Sequence, residues 1–281
     1  MEKPLKLLLS QYGLNLKKAY GQNFLTDDEL LSQIVEKAGV TKEDTVLEIG
    51  CGAGALTAHL AENAKKVVCY EIDQRLKPLL NETVGHFSNV EIVFGDIMKQ
   101  KINDVENKLG GEYIMVANLP YYITTPIIMQ FIENAKNIKS MVIMVQEEVA
   151  YRLSANAGTS DYGAITVGIN LRGKANVIIK VPRDKFTPPP NVDSAVVKID
   201  IDKNKFDGVD FSAVRNLVRC GFTSRRKTLI NNLMTGLKIS RADGENALKE
   251  LDINLLSRAE DLTASQFVDL TKKLNIKGNK K

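Results

Sequence analysis

Asn118-Leu119-Pro120-Tyr121, closing the apolar run Tyr113-Ile114-Met115-Val116-Ala117, combines residue types suited to holding an aromatic amine. The exocyclic amine of a purine is a poor nucleophile, because its lone pair is delocalised into the ring. An Asn side-chain oxygen and the Leu119 carbonyl can accept both amine hydrogens, which favours a pyramidal nitrogen. Pro120 fixes the local backbone, and Tyr121 offers a face on which a base can stack. Such a site needs no strong base. The same four residues could instead be a turn that ends a strand.

A second group of residues lies upstream. Gly50-Cys51-Gly52-Ala53-Gly54-Ala55-Leu56-Thr57 follows the β-rich run Thr45–Ile49, so backbone there can approach a ligand closely, although a glycine-rich loop alone can be only a tight turn. Glu71 comes twenty-one residues after Gly50, at the end of the next β-rich run, where a carboxylate can accept from both ribose hydroxyls of a nucleoside cofactor. The third glycine arrives one residue too early for the dinucleotide fingerprint. Glu48 would also repel a pyrophosphate and suits a cofactor with a cationic amino-acid end. These two features favour S-adenosylmethionine (SAM) over a nicotinamide cofactor. Asp96, after the third run, is placed to accept from the cofactor adenine's amine, or else to cap the helix that begins at Ile97.

Positioning these groups requires a sheet. Thr45–Ile49, Lys66–Tyr70, Val90–Phe94, Tyr113–Ala117 and Ser140–Val145 are short β-rich runs separated by helix-length segments, the pattern of a parallel, doubly wound α/β sheet. Ala175–Val181 and Ser194–Ile201, joined by a Pro-rich connection, suit an antiparallel hairpin at one sheet edge. Beyond Asp202 the β signal stops, and Phe211–Leu274 reads as several short helices with Ser240 and Thr263 as caps. The expected organisation is a catalytic domain over residues 1–204 and a small all-α domain over 205–281, with a linker near 202–210.

The 281 residues, 44% hydrophobic, can bury a sizeable core, and the net charge of +4 is unevenly spread. Residues 205–281 carry 15 Lys and Arg against 9 Asp and Glu, whereas residues 1–204 carry 23 against 25. Phe211–Ala242 contains Arg215, Arg219, Arg225, Arg226, Lys227, Lys238 and Arg241 and no acidic residue. That imbalance suits phosphate binding, and the core-forming pattern of 211–237 favours nucleic acid over a membrane surface. Arg225, Arg226 and Lys227 would fall in the first turn of a helix capped by Thr223-Ser224. Cys51, Cys69 and Cys220 follow no metal or disulfide spacing, so neither a metal nor an oxidising compartment is expected. The longest apolar stretch near the N-terminus, Leu7-Leu8-Leu9, is too short for a secretory or spanning segment. A cytoplasmic protein is expected. His59 and His86 have no partner motif and read as structural.

Four motifs in order resemble those of the rRNA adenine N6,N6-dimethyltransferases. They are Lys17-Lys18-x-x-Gly21-Gln22-Asn23-Phe24-Leu25, Glu48–Gly54, Asn118–Tyr121 and Phe186-Thr187-Pro188-Pro189-Pro190-Asn191-Val192-Asp193-Ser194. The resemblance spans about 16–233. It implies a Rossmann-like class I SAM methyltransferase sheet, with residues 1–25 as an arm closing over the site. In that family's terms, Asn23 and the Leu25 backbone would cover the methionine and adenosine parts of SAM. Gly50 would take the methionine end, Glu71 the ribose, Asp96 the adenine, and Asn118 both cofactor and target amine. Phe186 would stack on the target adenine opposite Tyr121. Phe24, Leu25 and Phe186 could equally be core, and Asn23 a helix cap.

Gly21 before Gln22-Asn23-Phe24, and the segment Cys220-Gly221-Phe222-x-x-Arg225-Arg226-Lys227-Thr228-Leu229-x-Asn231, resemble the bacterial small-subunit branch more than the large-subunit resistance methylases. This implies transfer of four methyl groups to two adjacent adenosines in the 3′-terminal helix of 16S rRNA, on a late small-subunit assembly intermediate. The RNA contacts would come from Arg219, Arg225, Arg226 and Lys227, in a monomer with no obligate protein partner. Competing readings are a large-subunit rRNA or DNA amine methylase, and a non-catalytic assembly or transcription factor. The last would have no need of Asn118, Pro120, Tyr121, Glu71 and Asp96 together.

Overall fold

Short apolar strands alternating with amphipathic helices drive the first two thirds of the chain into a layered sheet. The computed structural model describes residues 10–12, 24–119 and 123–278. The strands are β1 (Phe24–Leu25), β2 (Thr45–Ile49), β3 (Lys66–Glu71), β4 (Val90–Phe94), β5 (Tyr113–Asn118), β6 (Ile138–Gln146), β7 (Gly173–Val181), β8 (Phe186–Thr187) and β9 (Ser194–Ile201). Interleaved with them are helices α1 (Asp28–Ala38), α2 (Ala55–Asn63), α3 (Lys77–Thr83), α4 (Ile102–Leu109), α5 (Thr124–Asn134), α6 (Glu147–Leu153) and α7 (Ala164–Asn170). Then follow α8 (Phe211–Gly221), α9 (Leu229–Leu237), α10 (Arg241–Glu250) and α11 (Ala264–Lys273).

Seven strands form one sheet in the order β4-β3-β2-β5-β6-β9-β7, and β1 pairs with β8 in a separate antiparallel ribbon. β4, β3, β2, β5 and β6 run parallel, and β9 is antiparallel to β6. The expected α/β class is therefore found, with each expected strand in place. Parallel strands covered on both faces need apolar side chains on both faces. Val46, Leu47, Val67, Val68, Met115 and Val142 are accordingly inaccessible to solvent. The helices turn apolar stripes inward: in α1, Leu30, Leu31, Ile34, Val35 and Ala38 are buried, while Asp27 caps the start through Leu30 N–H and Gly39 in the left-handed region closes the end.

Strand order reverses between β2 and β5. In open α/β sheets a crevice opens at that point, outside the carboxyl ends of the strands, and it is where ligands bind.

The chain divides into two compact units, Met1–Ala150 with Asn176–Ile201, and Tyr151–Ala175 with Asp202–Lys281. Segment 151–175 thus groups with the C-terminal helices, whereas composition alone assigns it to the preceding domain. The reason is packing: Tyr162, Val167 and Leu171 share a core with Val214, Leu217, Leu229, Leu233 and Phe267. Ser240 caps α10 through Asp243 N–H, and Thr263 forms a capping box with Gln266, as expected. The expected cap at Thr223-Ser224 is not made. α9 starts only at Leu229 with Thr228 before it, so Arg225, Arg226 and Lys227 occupy the preceding turn rather than a first helical turn. Asn232 explains the delay, because its side-chain amide donates to the Gly221 and Ser224 carbonyls at 2.6 and 2.9 Å and holds that turn open. No helix among the described residues is long and apolar enough to cross a membrane.

Candidate active site

Parallel register alone gathers the first site residues. Gly50 N–H donates to Tyr70 O at 2.8 Å and Gly95 N–H to Glu71 O at 2.8 Å, so the ends of β2, β3 and β4 are level. Ile49 pairs with Ala117, which sets Asn118 beside Gly50 across the reversal point. A Cβ built on Gly50, whose φ is +79°, would lie 3.8 Å from the Asn118 carbonyl oxygen. Gly50, Glu71, Asp96 and Asn118 therefore line one carboxyl edge, as the spacing implied.

The glycine loop is held from both sides. At Gly54, φ is +87° and a Cβ would sit 2.7 Å from Thr83 Oγ1 and 3.0 Å from Val84 Cγ1. Gly54→Ala is thus expected to combine left-handed backbone strain with overlap, lowering stability by about 1–3 kcal/mol. Thermal melting beside wild type checks this, and an unchanged melting temperature would contradict the crowding described.

Glu71 is buried, with only 4% of its surface exposed. Its Oε2 accepts from Gly52 N–H at 3.0 Å and its Oε1 from Asp73 N–H at 2.8 Å. Burial raises its pKa, and the N–H groups of Asp73 and Gly52 pull it back part of the way. The carboxylate is thereby oriented at the sheet edge by the loop it faces. Two acceptor bonds leave a carboxylate with further lone-pair sites, enough for a ribose diol. Ile72, next in sequence, is 53% exposed despite its apolar side chain. An exposed Ile beside the acid expected to take the ribose is suited to packing on a nucleobase. Sequence reasoning passes over it because an Ile at a strand end ordinarily reads as core.

Asp96 caps the short helix Ile97–Lys99 while standing at the end of β4, its Oδ1 accepting from Met98 N–H at 2.9 Å. One carboxylate oxygen suffices for the cap, so the geometry is compatible with the cofactor role as well.

Leu25 and Phe186 are paired across the β1–β8 ribbon. Phe186 is 3% exposed, and its ring belongs to a cluster with Leu25, Leu31, Ile34, Val181 and Val196. It offers no open face to a base in this arrangement, so the expected stacking partner is here a core residue, and truncating it would test packing as well as stacking. Phe24 lies against the loop, its Cε1 3.1 Å from where a Gly52 Cβ would be. Leu119 is buried, anchoring the backbone whose carbonyl is the second expected acceptor for the amine. Asn23, Pro120 and Tyr121, and with them Lys17, Lys18, Gly21 and Gln22, lie outside the described residues.

The glycine loop covers a second buried acid. Glu48 is 1% exposed, with the Thr57 hydroxyl and the Cys69 thiol as the hydrogen-bonding groups beside its carboxyl. Burial pushes its pKa up to about 7. Two buried carboxyls, Glu48 and Glu71, beneath one loop would repel a pyrophosphate and match a ligand with a positive end. The residues present thus fit SAM. Among the described residues no group of His, Cys, Asp and Glu could hold a metal. His59 contacts Asp28 and Ser32 at the surface, and His86 stacks on Phe87 with ring centroids 4.1 Å apart, which leaves both in structural roles.

In the second unit the basic residues separate. Arg225 donates to the Ser160 and Tyr162 carbonyls at 2.6 Å each and pairs with Glu260 at 3.2 Å. It clamps segment 151–175 to the helices. Arg219, Arg226 and Lys227 are exposed, as is Arg225 itself.

Residues 13–275 match the family model described as ribosomal RNA adenine dimethylase. The chain is 40% identical over 276 residues to a protein of Bacillus licheniformis named ribosomal RNA small subunit methyltransferase A, covering 96% of this chain and 94% of that one. A protein of the same name from a Geobacillus species is 44% identical over 274 residues, covering 95% and 94%. Among solved structures, a dimethyladenosine transferase from Plasmodium falciparum is similar at a TM-score of 0.76 and 30% identity, over 90% of this chain and 98% of that one. The 23S rRNA methyltransferase ErmE is similar at 0.68 and 28%, over 90% and 100%.

Proposed function

The chain belongs to the ribosomal RNA adenine dimethylase family, and from that premise we propose that it N6,N6-dimethylates two adjacent adenosines in the 3′-terminal helix of 16S rRNA, using SAM, on a late small-subunit assembly intermediate. The single observation that carries the reading is the alignment of Gly50, Glu71, Asp96 and Asn118 along one carboxyl edge, at the point where strand order reverses. When bound, SAM supplies an electrophilic methyl group on a sulfonium centre. By the family resemblance, Asn23 and the Leu25 backbone would cover it, Gly50 would let its methionine end approach the backbone, Glu71 would accept from the ribose and Asp96 from the adenine amine. Asn118 Oδ1 and the Leu119 carbonyl accept the target amine's hydrogens and aim its lone pair. By the same resemblance, Pro120 would rigidify that backbone and Tyr121 would support the extruded base. Each transfer would form an N–C bond at the expense of SAM's S–C bond, with one amine proton leaving to solvent.

The substrate is rRNA in the small subunit or its precursor, and the protein acts in the cytoplasm as a monomer. Incubating it with labelled SAM and, in parallel, undermethylated small subunits, large subunits, naked rRNA and DNA tests the assignment. Label confined to small subunits is expected. Preference for large subunits or DNA contradicts it, and absence of transfer to any of them favours a non-catalytic assembly factor.

Phosphate binding falls to the exposed basic residues of the second unit, Arg219, Arg226 and Lys227, with Arg225 serving chiefly as a clamp. Replacing Arg226 and Lys227 with Ala is expected to spare the melting temperature and SAM affinity. It should weaken small-subunit binding and flatten its salt dependence by roughly 0.7–0.9 log units for each phosphate no longer neutralised. Arg225→Ala should instead lower the melting temperature, because it strips the Ser160 and Tyr162 carbonyls of a charged donor. A steep salt slope retained in the double variant would remove these residues from the RNA surface.

A further inference from the structure

The turn that follows β3 carries an ion pair that the proposed chemistry leaves unused. Glu71 ends β3, and the chain then passes through Ile72 and Asp73 into the short helix Gln74–Leu76. Asp73 is buried. Its carboxylate caps that helix by accepting from Arg75 N–H at 3.1 Å, and the Arg75 guanidinium grips both of its oxygens, Nε on Oδ1 at 2.7 Å and Nη2 on Oδ2 at 2.5 Å. An ion pair two residues apart on a surface contributes little, because water competes for both partners. Here the acid's side chain is only 5% exposed, although the Arg keeps 46% of its own in solvent. A carboxylate taken out of water needs such a two-point, charge-assisted partner to stay ionised.

Asp73 acts on Glu71 in two opposed ways. Its N–H donates to Glu71 Oε1 at 2.8 Å, which orients that carboxylate and favours its ionised form, while its own negative charge disfavours that form. Glu71 Oε2 is held from the other side by Gly52 N–H at 3.0 Å. The Arg75 guanidinium tips the balance, because it neutralises the Asp73 charge and, by locking that side chain, fixes the turn that aims the N–H. We propose that Arg75 is a positioning residue for the cofactor ribose, acting through Asp73 to hold the Glu71 carboxylate in the orientation that accepts from the ribose hydroxyls. The inference rests on the assignment of SAM to this edge with its ribose on Glu71. Arg75 itself does not touch the ribose. Its removal should therefore show as lost recognition of the two hydroxyls rather than lost binding of the whole molecule.

The experiment is isothermal calorimetry on the full chain with S-adenosylhomocysteine and with its analogue lacking both ribose hydroxyls, using wild type, Arg75→Gln and Arg75→Lys. Wild type is expected to bind the ribose form more tightly by about tenfold or more, as two charge-assisted hydrogen bonds require. Arg75→Gln should weaken S-adenosylhomocysteine by roughly five- to tenfold and leave the hydroxyl-free analogue within about twofold, so that the ratio between them collapses. Arg75→Lys keeps the charge, loses the two-point grip and should lie between. Introduced beside Glu71→Gln, Arg75→Gln should weaken binding no further, because the carboxylate it acts through is already gone. An undiminished ratio in Arg75→Gln, or a further loss beside Glu71→Gln, overturns the inference and leaves Arg75 a structural residue of the turn. Should Arg75→Gln not fold, a wild-type ratio in Arg75→Lys overturns it equally. Equal affinity of wild type for the two ligands overturns the Glu71 assignment instead, and failure of both to bind overturns the SAM assignment, so these outcomes are distinct.

Discussion

Asn118→Ala is expected to cut methyl transfer by about two orders of magnitude while leaving SAM affinity within a few fold and small-subunit binding intact. The size follows from what Ala removes. Asn118 ends β5, and its backbone stays in register with Met144 of β6 whatever its side chain, so the edge itself should persist. Its carbonyl, next to the position of a Gly50 Cβ, also remains. What disappears is the acceptor that would hold one amine hydrogen and turn the nitrogen lone pair toward the methyl group. That hydrogen bond strengthens as positive charge develops on the nitrogen, and an interaction made chiefly in the transition state lowers kcat rather than raising KM when it is removed. Single-turnover methylation of undermethylated small subunits, with calorimetric SAM affinity on the same preparation, separates the two. Near-normal turnover would sink the amine-positioning argument, and an effect confined to SAM affinity would reassign Asn118 to the cofactor alone.

Glu71→Ala should weaken SAM binding by at least tenfold. Two charge-assisted hydrogen bonds to a ribose diol amount to roughly 1.5–3 kcal/mol each before solvent competition. The geometry adds a second effect that sequence spacing does not suggest. Glu71 also accepts from Gly52 and Asp73, and removing it strands two backbone donors beneath the glycine loop. Each such donor costs about 1–3 kcal/mol when it is left unmet and shielded from water. The variant is therefore expected to melt earlier than wild type, and affinity must be measured well below its transition. Unchanged SAM affinity in the folded variant, or binding of a nicotinamide cofactor by wild type, would refute the assignment.

Much of the edge that carries these two residues is legible in the chain itself. Apolar runs of five or six residues separated by helix-length segments imply a parallel sheet, because only strands buried on both faces carry uninterrupted Val, Ile and Met. Once the sheet is parallel, groups at or just past each strand end must align, which is why Gly50, Glu71, Asp96 and Asn118 can be named together. Helix ends at Ser240 and Thr263 are equally legible, since a cap is a local hydrogen bond. The tertiary structure decided what depends on partners remote in sequence. Arg225 looks like its neighbours in a basic run, yet carbonyls 63 and 65 residues away make it a clamp. The start of α9 falls later than the Thr223-Ser224 pair suggests because Asn232, from within that helix, satisfies the turn before it. Segment 151–175 joins the helical unit through Tyr162, Val167 and Leu171, and no composition change marks the boundary. Phe186 is core through its β8 pairing with Leu25, and Glu48 is closed off from solvent beside Thr57 and Cys69. Spacing determines which strand end a residue reaches, whereas burial and remote partners arise only when distant segments close around it.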